Sequence, residues 1–135
     1  MNQDEYQYEL DFLVRDYECD LQGIVNNSIY QNYLEHTRHE FIKSRGLNFA
    51  QMHDEGIDAV VSRVEIDYKM PLKSGDDFKV VLNCKPEGNV RILFEQKIFR
   101  KADNKLIIQA KVFSVISTNG RPIRPPKNLT DKLYL

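Results

Sequence analysis

One helical segment flanked by β-like segments constrains the fold of this chain more than any other feature. Within residues 28–44, a set of mainly apolar side chains recurs at helical spacing, which predicts an amphipathic helix that ends before Gly46. These side chains are Tyr30, Tyr33, Leu34, Thr37, Phe41 and Ile42. Residues 26–28 all have side chains that can cap a helix, so the pattern leaves the first residue of the helix open. Because the apolar residues cover more than a narrow stripe, the helix needs a sheet that curls around it.

Five segments with the pattern of β-strands surround this helix in the sequence. Residues 6–15 alternate between apolar and polar side chains before the helix, and residues 57–69, 78–85, 90–101 and 105–117 follow it. Short connections at residues 71–77, 86–89 and 102–104 favour an antiparallel meander of neighbouring strands. The proline-rich stretch at residues 122–126 cannot continue a central strand. The prediction is an α+β fold, with a five-stranded antiparallel sheet wrapped around one long central helix.

Length and charge limit the kind of protein that this sequence encodes. Its 135 residues fit one domain, residues 1–135, and a net charge of −1 offers no field that would attract nucleic acid. No apolar run approaches the ~20 residues of a membrane span, and residues 1–7 lack the pattern of a signal peptide, so we expect a cytoplasmic protein. Cys19 and Cys84 show no metal-ligand spacing, and no cofactor motif is present, so neither a metal nor a cofactor is expected.

The segment at residues 17–30, YECDLQGIVNNSIY, is the most informative part of the sequence. It places an acidic residue three positions before a glycine, and then an aliphatic pair, asparagines and an aromatic residue that enters the helix. In this order Asp20, Gly23, Val25, Asn27 and Tyr30 resemble the signature of hotdog-fold acyl-CoA thioesterases of the 4-hydroxybenzoyl-CoA thioesterase family. The resemblance continues through residues 33–41, 64–80 and 119–127 and so covers nearly the whole chain.

This resemblance implies an enzyme that hydrolyses an acyl thioester to a free acid and a thiol. Asp20 matches the family's catalytic carboxylate, which acts as a nucleophile or as a general base for water, and the sequence does not decide between these routes. The backbone amide of Asn27 matches the oxyanion donor at the helix start. Gly23 permits the close turn between them. Ile24 stands where one subgroup has a histidine, which leaves Asp20 with more of the chemistry.

The resemblance also implies a substrate class and an assembly. The substrate is an acyl-CoA or an acyl-ACP, and the protein is a homodimer or homotetramer whose subunits share the substrate tunnel. Tyr30 is expected to line this tunnel, and Arg91 to contact a coenzyme A phosphate. The acyl group itself is not specified by the sequence.

Other interpretations of the same residues stay open. From spacing alone, residues 20–23 form a β-turn and residues 26–27 a helix cap. Glu35 on the helix is a rival catalytic acid, because another hotdog subgroup carries its carboxylate there. The alternative functions are a non-catalytic acyl-thioester-binding protein and a hotdog dehydratase or hydratase. The second of these ordinarily needs a histidine where Ile24 stands.

Overall fold

A computed structural model of the chain describes residues 5–135, and it has the predicted α+β architecture. One long helix, α1 (Asn27–Ser44), lies against a curled antiparallel sheet. The strands are β1 (Tyr8–Leu13), β2 (Asp58–Tyr68), β3 (Asp77–Glu87), β4 (Arg91–Arg100), β5 (Leu106–Thr118) and β6 (Arg121–Ile123). Two short helices, α2 (Phe49–Asp54) and α3 (Lys127–Leu133), and one 3-10 turn, Asp16–Glu18, complete the described part of the chain. The hotdog fold is confirmed, with one short strand and two short helices that were not predicted.

Helix α1 forms where the sequence periodicity places it. Asn26 is the N-cap, and the chain leaves the helix through Arg45 and Gly46, the latter at a φ of +78°. The side chains predicted to face the core are all buried: Tyr30, Tyr33, Leu34, Thr37, Phe41 and Ile42. Burial of this apolar stripe, rather than helix propensity, therefore stabilises α1.

The order of the strands differs in one respect from the predicted meander. Strands β3, β4 and β5 are neighbours as expected, but the full order is β1-β3-β4-β5-β2, so β2 pairs with β5 at the far edge. The prediction that residues 71–77 join neighbouring strands was therefore wrong. The reason lies at Leu72, whose N–H donates to the Tyr30 hydroxyl and whose carbonyl accepts the Val25 N–H, both at 2.9 Å. These bonds satisfy the connection at the start of α1, so it needs no hairpin partner.

The two edges of the sheet are unequal. Strand β1 has six residues, whereas β2 has 11 and exposes Val60, Val61, Val64 and Tyr68 along its length. Away from these edges, β6 pairs with the last residues of β5, and α3 buries Leu129 and Leu133. Among residues 5–135, no helix is long and apolar enough to span a membrane.

Candidate active site

The segment between β1 and α1 forms a small hairpin with Asp20 at its turn. Cys19 pairs with Val25 in an antiparallel bridge, and the Asp20 N–H donates to the Ile24 carbonyl at 2.9 Å. The Gly23 N–H donates back to the Asp20 carbonyl at 3.0 Å. Gly23 has a φ of +82°, which glycine adopts without strain. We call residues 20–23 the acid turn.

The Asp20 carboxylate is exposed and bonded within the acid turn. Its Oδ1 accepts the Gln22 N–H at 2.8 Å and the Ile24 N–H at 3.4 Å. An aspartate that accepts the amide two residues ahead is a common structural feature of turns. Both bonds use the same oxygen, which leaves Oδ2 as the candidate for contact with a substrate or a water molecule.

The first turn of α1 directly follows the hairpin in the chain. Within the described chain, the side chain of the N-cap Asn26 makes no capping hydrogen bond, and Asn26 and Asn27 are both exposed. N–H groups at a helix start carry a partial positive charge. The bridge between Cys19 and Val25 separates Asp20 on the turn side from Asn27 on the helix side, by roughly 10 Å of strand.

A groove of about 240 Å³ opens beside the start of α1. It is lined by Ile24, Val25, Asn27, Tyr30, Tyr68, Lys69, Met70 and Pro71. The Tyr30 ring is buried and lies edge-on to Tyr68, with centroids 5.8 Å apart. Burial raises the pKa of Tyr30, so its hydroxyl stays protonated while it accepts the Leu72 N–H. The structure thus brings Asp20, Gly23, Asn27 and Tyr30 to one end of α1.

A second cavity, which we call the core pocket, lies farther along α1 and has a volume of about 120 Å³. Its apolar walls are Ile42, Leu47, Phe49, Met52, Ala59, Val61, Ile92, Phe94, Ile116, Leu129 and Leu133. Glu35, Arg38 and His39 line it from α1, and Ser114 lines it from β5. Glu35, the rival catalytic acid, is exposed and stands eight residues, or ~12 Å, along the helix from Asn27.

Arg91 lies far from the acid turn of its own chain. It begins β4, at the end of the sheet opposite the start of β3, and the 11 residues of β3 span ~33 Å. Because side chains alternate along a strand, Arg91 stands on the face opposite to Ile92, which lines the core pocket. Its guanidinium lies 4.7 Å from the centroid of the Phe113 ring and 3.8 Å from Glu87. Within one chain, the structure therefore does not bring Arg91 to the residues around Asp20.

The buried polar pairs around α1 were missed by the sequence analysis. Glu18 and Gln96 are 6% and 1% exposed, and they bond to Tyr33 and Arg38 of the helix. In the sequence these residues fit the polar positions of ordinary strands and loops, so only the fold reveals that they are buried. A polar residue on the inward phase of a strand, as Gln96 is between Phe94 and Ile98, was the one available signal.

Comparison with known proteins places the chain in a family. A sequence model described as the thioesterase-like superfamily matches residues 14–133. The chain belongs to that superfamily. The chloroplastic acyl-acyl carrier protein thioesterase ATL3 of Arabidopsis thaliana is 36% identical over 126 residues, which cover 93% of this chain and 66% of that protein. A putative esterase of Aquifex aeolicus is 32% identical over 120 residues, which cover 89% of this chain and 92% of that protein.

A solved structure shows the same fold as this chain. The 1,4-dihydroxy-2-naphthoyl-CoA thioesterase Slr0204 from Synechocystis matches with a TM-score of 0.87 at 16% identity, over 93% of this chain and 94% of that one. At this identity the likeness shows the hotdog fold alone.

The chain spans just under two thirds of the length of ATL3. The enzyme class predicted from the sequence, a thioester hydrolase, is the class that the names of ATL3 and Slr0204 state for those proteins.

Proposed function

We propose that this protein hydrolyses an acyl-CoA or acyl-ACP thioester, with Asp20 as the catalytic carboxylate and the Asn27 backbone N–H as the oxyanion donor. One observation carries the proposal: a hairpin closed by Gly23 holds an exposed carboxylate beside the start of α1, whose N-cap side chain makes no capping bond. The ~10 Å between the two positions matches the combined reach of a carboxylate side chain, a thioester carbonyl and one hydrogen bond. Residues 20–30 also resemble the signature of the 4-hydroxybenzoyl-CoA thioesterase family, to which we assign the chain.

The reaction has two balanced routes at this site. In the first, Asp20 accepts a proton from water, the hydroxide adds to the carbonyl carbon, and the C–S bond breaks as Asp20 returns its proton to the leaving thiolate, which gives the acid and the thiol. In the second, the carboxylate adds directly and expels the thiolate, and water then cleaves the mixed anhydride. In both routes negative charge develops on the carbonyl oxygen, where the N–H groups at the start of α1 stabilise it.

The groove at the start of α1 and the core pocket suggest where the rest of the substrate lies. The groove at the start of α1, with the rings of Tyr30 and Tyr68, suits the part of the substrate next to the thioester. The core pocket, whose walls are mainly aliphatic, suits an apolar acyl group. The name of ATL3 supports an acyl thioester as substrate but does not choose between coenzyme A and a carrier protein for this chain.

We also propose that the active enzyme is a homodimer or a homotetramer. Strand β2 is a long edge strand that exposes Val60, Val61 and Val64, and such an edge favours pairing with a second chain. In an antiparallel pairing of two β2 strands, the Val60 end of one strand lies beside the Tyr68 end of the other. Val60 pairs with Val115, which pairs with Arg91. This symmetry would carry Arg91 of one chain toward the acid turn of the other.

Thiol release from a panel of aliphatic and aromatic acyl-CoA and acyl-ACP substrates tests the proposal. We expect hydrolysis by the wild type and a loss of at least ~10²-fold in kcat for Asp20→Asn, which keeps the shape of the side chain but removes its charge. Asp54→Asn, an exposed change on α2, is the matched control and should leave turnover unchanged. Full activity of Asp20→Asn together with an inactive Glu35→Gln would move the catalytic acid to the helix.

A further inference from the structure

We propose that Glu18 and Tyr33 form a buried positioning pair that fixes the acid turn relative to the start of α1. This inference rests on the proposed function of Asp20. The Tyr33 hydroxyl donates to Glu18 Oε1 at 2.8 Å, and the backbone N–H of Arg15 donates to the same oxygen at 2.9 Å. The Arg15 guanidinium lies 3.6 Å from Oε2. Glu18 is therefore bonded both to the helix and to Arg15, two residues after the end of β1.

The backbone of Glu18 continues this connection into the hairpin. Its carbonyl accepts the N–H of Asn26, the N-cap of α1, at 3.2 Å. The next residue, Cys19, forms the bridge to Val25, and the residue after that is Asp20. A displacement of Glu18 would thus move the catalytic carboxylate and the helix N-cap relative to one another.

Tyr33 is held in place by aromatic packing in the core. Its ring lies 4.7 Å from that of Phe78 and 5.4 Å from that of Phe12, centroid to centroid, and the residue is 3% exposed. Burial, and then the Glu18 carboxylate, raise the pKa of Tyr33 above its ordinary value. The hydroxyl therefore stays protonated at neutral pH and can donate to Glu18. Through its bond to Tyr33, Glu18 is therefore held by the packed core and not only by the surface loop.

The free-energy cost of burying Glu18 favours a positioning role for the Glu18–Tyr33 pair over a purely stabilising one. A carboxylate that is only 6% exposed costs free energy unless donors compensate it. Buried polar pairs of this kind often stabilise no more than apolar side chains of the same size, whereas they fix a geometry better. Glu18 is also unsuited to attack a thioester itself, because its oxygens already face Tyr33 and Arg15.

Four variants test this role by steady-state kinetics. Tyr33→Phe removes one hydroxyl and Glu18→Ala removes the carboxylate, and each should lower kcat about tenfold with KM within about twofold, because the acid turn is displaced while the substrate groove is kept. Glu18→Gln should retain at least about half of kcat, because its amide oxygen can accept both bonds. Val112→Ala, a core truncation outside both cavities, should lower the urea midpoint of unfolding with kcat unchanged.

Two further readouts separate positioning from stability and from the proposed function. Added to Asp20→Asn, the Tyr33→Phe change should cause no further loss of kcat, because there is no longer a carboxylate to position. Hydrogen exchange of the Gln22 and Ile24 amides should be faster in Tyr33→Phe than in wild type, and unchanged in Val112→Ala. If Asp20→Asn is inactive while Tyr33→Phe keeps both kcat and amide protection, the positioning role is refuted. If Asp20→Asn is fully active, the proposed function fails. Independently of that result, exchange of the Gln22 and Ile24 amides as slow in Tyr33→Phe as in wild type would refute the positioning pair.

Discussion

The Arg38 guanidinium of α1 donates a hydrogen bond to the side-chain oxygen of Gln96 in β4, at 3.1 Å. Gln96 is 1% exposed and donates its own amide hydrogen to the Leu34 carbonyl at 3.0 Å. Burial lowers the pKa of Arg38 below its ordinary value. A buried neutral amide therefore solvates both a cation at the edge of the core pocket and a carbonyl of the helix.

Gln96→Leu should lower the free energy of unfolding by about 2 kcal/mol, because it removes the buried bonds from Gln96 to Arg38 and to the Leu34 carbonyl. Urea unfolding at neutral pH measures the change. Gln109→Leu, the same substitution at an exposed position of β5, should stay within about 0.5 kcal/mol of wild type. Equal stabilities of the two variants would show that this bond contributes nothing.

Gly23→Ala should lower turnover about tenfold, because any side chain at a φ of +82° strains the turn that holds Asp20. Gly88→Ala is its matched control: Gly88 has a φ of +68° in the hairpin between β3 and β4. An added Cβ meets nothing within 4 Å at either position. Both variants should lose about 1 kcal/mol of stability in thermal unfolding, while only Gly23→Ala loses activity. An unimpaired Gly23→Ala enzyme would argue against a catalytic acid turn.

The elements of this fold could be predicted from the sequence because each has its own periodicity. The helix begins one residue before the predicted segment, at Asn27, and the four later strands match their segments within two residues. The place of β2 could not be predicted in this way. It depends on Leu72 bonding to Val25 and Tyr30, more than 40 residues earlier, and connection length carries no information about such partners.

The same distinction applies to the candidate site. Asp20, Gly23, Asn27 and Tyr30 lie within one segment of 11 residues, so a linear motif identifies them. The bonds from Tyr33 to Glu18 and from Arg38 to Gln96 join residues 15 and 58 positions apart. Polar residues of this type are usually exposed, so their sequence neighbourhood predicts solvation rather than burial.

Stability should fall as the pH rises above about 9, with Cys84 responsible for part of the slope. Burial raises the pKa of the Cys84 thiol to about 12, whereas a thiol in the unfolded chain ionises near pH ~8.5. Between these values the unfolded state has lost the proton that the folded state keeps. The unfolded chain then binds fewer protons, so the free energy of unfolding decreases with pH, by at most ~1.4 kcal/mol per pH unit for one group.

Urea unfolding at about pH 8 and about pH 9.5 checks this slope in wild type and Cys84→Ala. The variant should show the flatter dependence, although it is less stable at pH 8 because the side chain is buried. Cys19→Ala is the control; Cys19 is partly exposed and its pKa is raised as well, so its removal should flatten the slope less. Identical slopes in wild type and Cys84→Ala would contradict the assignment.

Val64→Lys should dissociate the protein into monomers. Val64 is 38% exposed on the edge strand β2, where a charge in each of two paired strands opposes their association. Val90→Lys is the matched control, because Val90 is also 38% exposed but lies in the hairpin between β3 and β4. Sedimentation velocity measures the mass, and circular dichroism checks that both variants fold. A wild-type monomer with full activity would remove the basis for a shared site.

Mixed dimers test whether the site is shared between subunits. A chain with Asp20→Asn keeps Arg91, and a chain with Arg91→Ala keeps Asp20, so a hybrid dimer has one site in which both wild-type residues meet if Arg91 acts across the interface. With random 1:1 assembly, half of the dimers are hybrids with one such site, and activity should reach about a quarter of wild type. The Arg91→Ala homodimers add a quarter of that variant's own activity. The mixture therefore exceeds the average of the two separate variants whenever Arg91→Ala is less active than wild type at the substrate concentration used, which is kept below KM. If each site uses only residues of its own chain, the hybrid dimers show no complementation, and the activity of the mixture equals that average. This result would show that Arg91 does not contact the substrate across the interface.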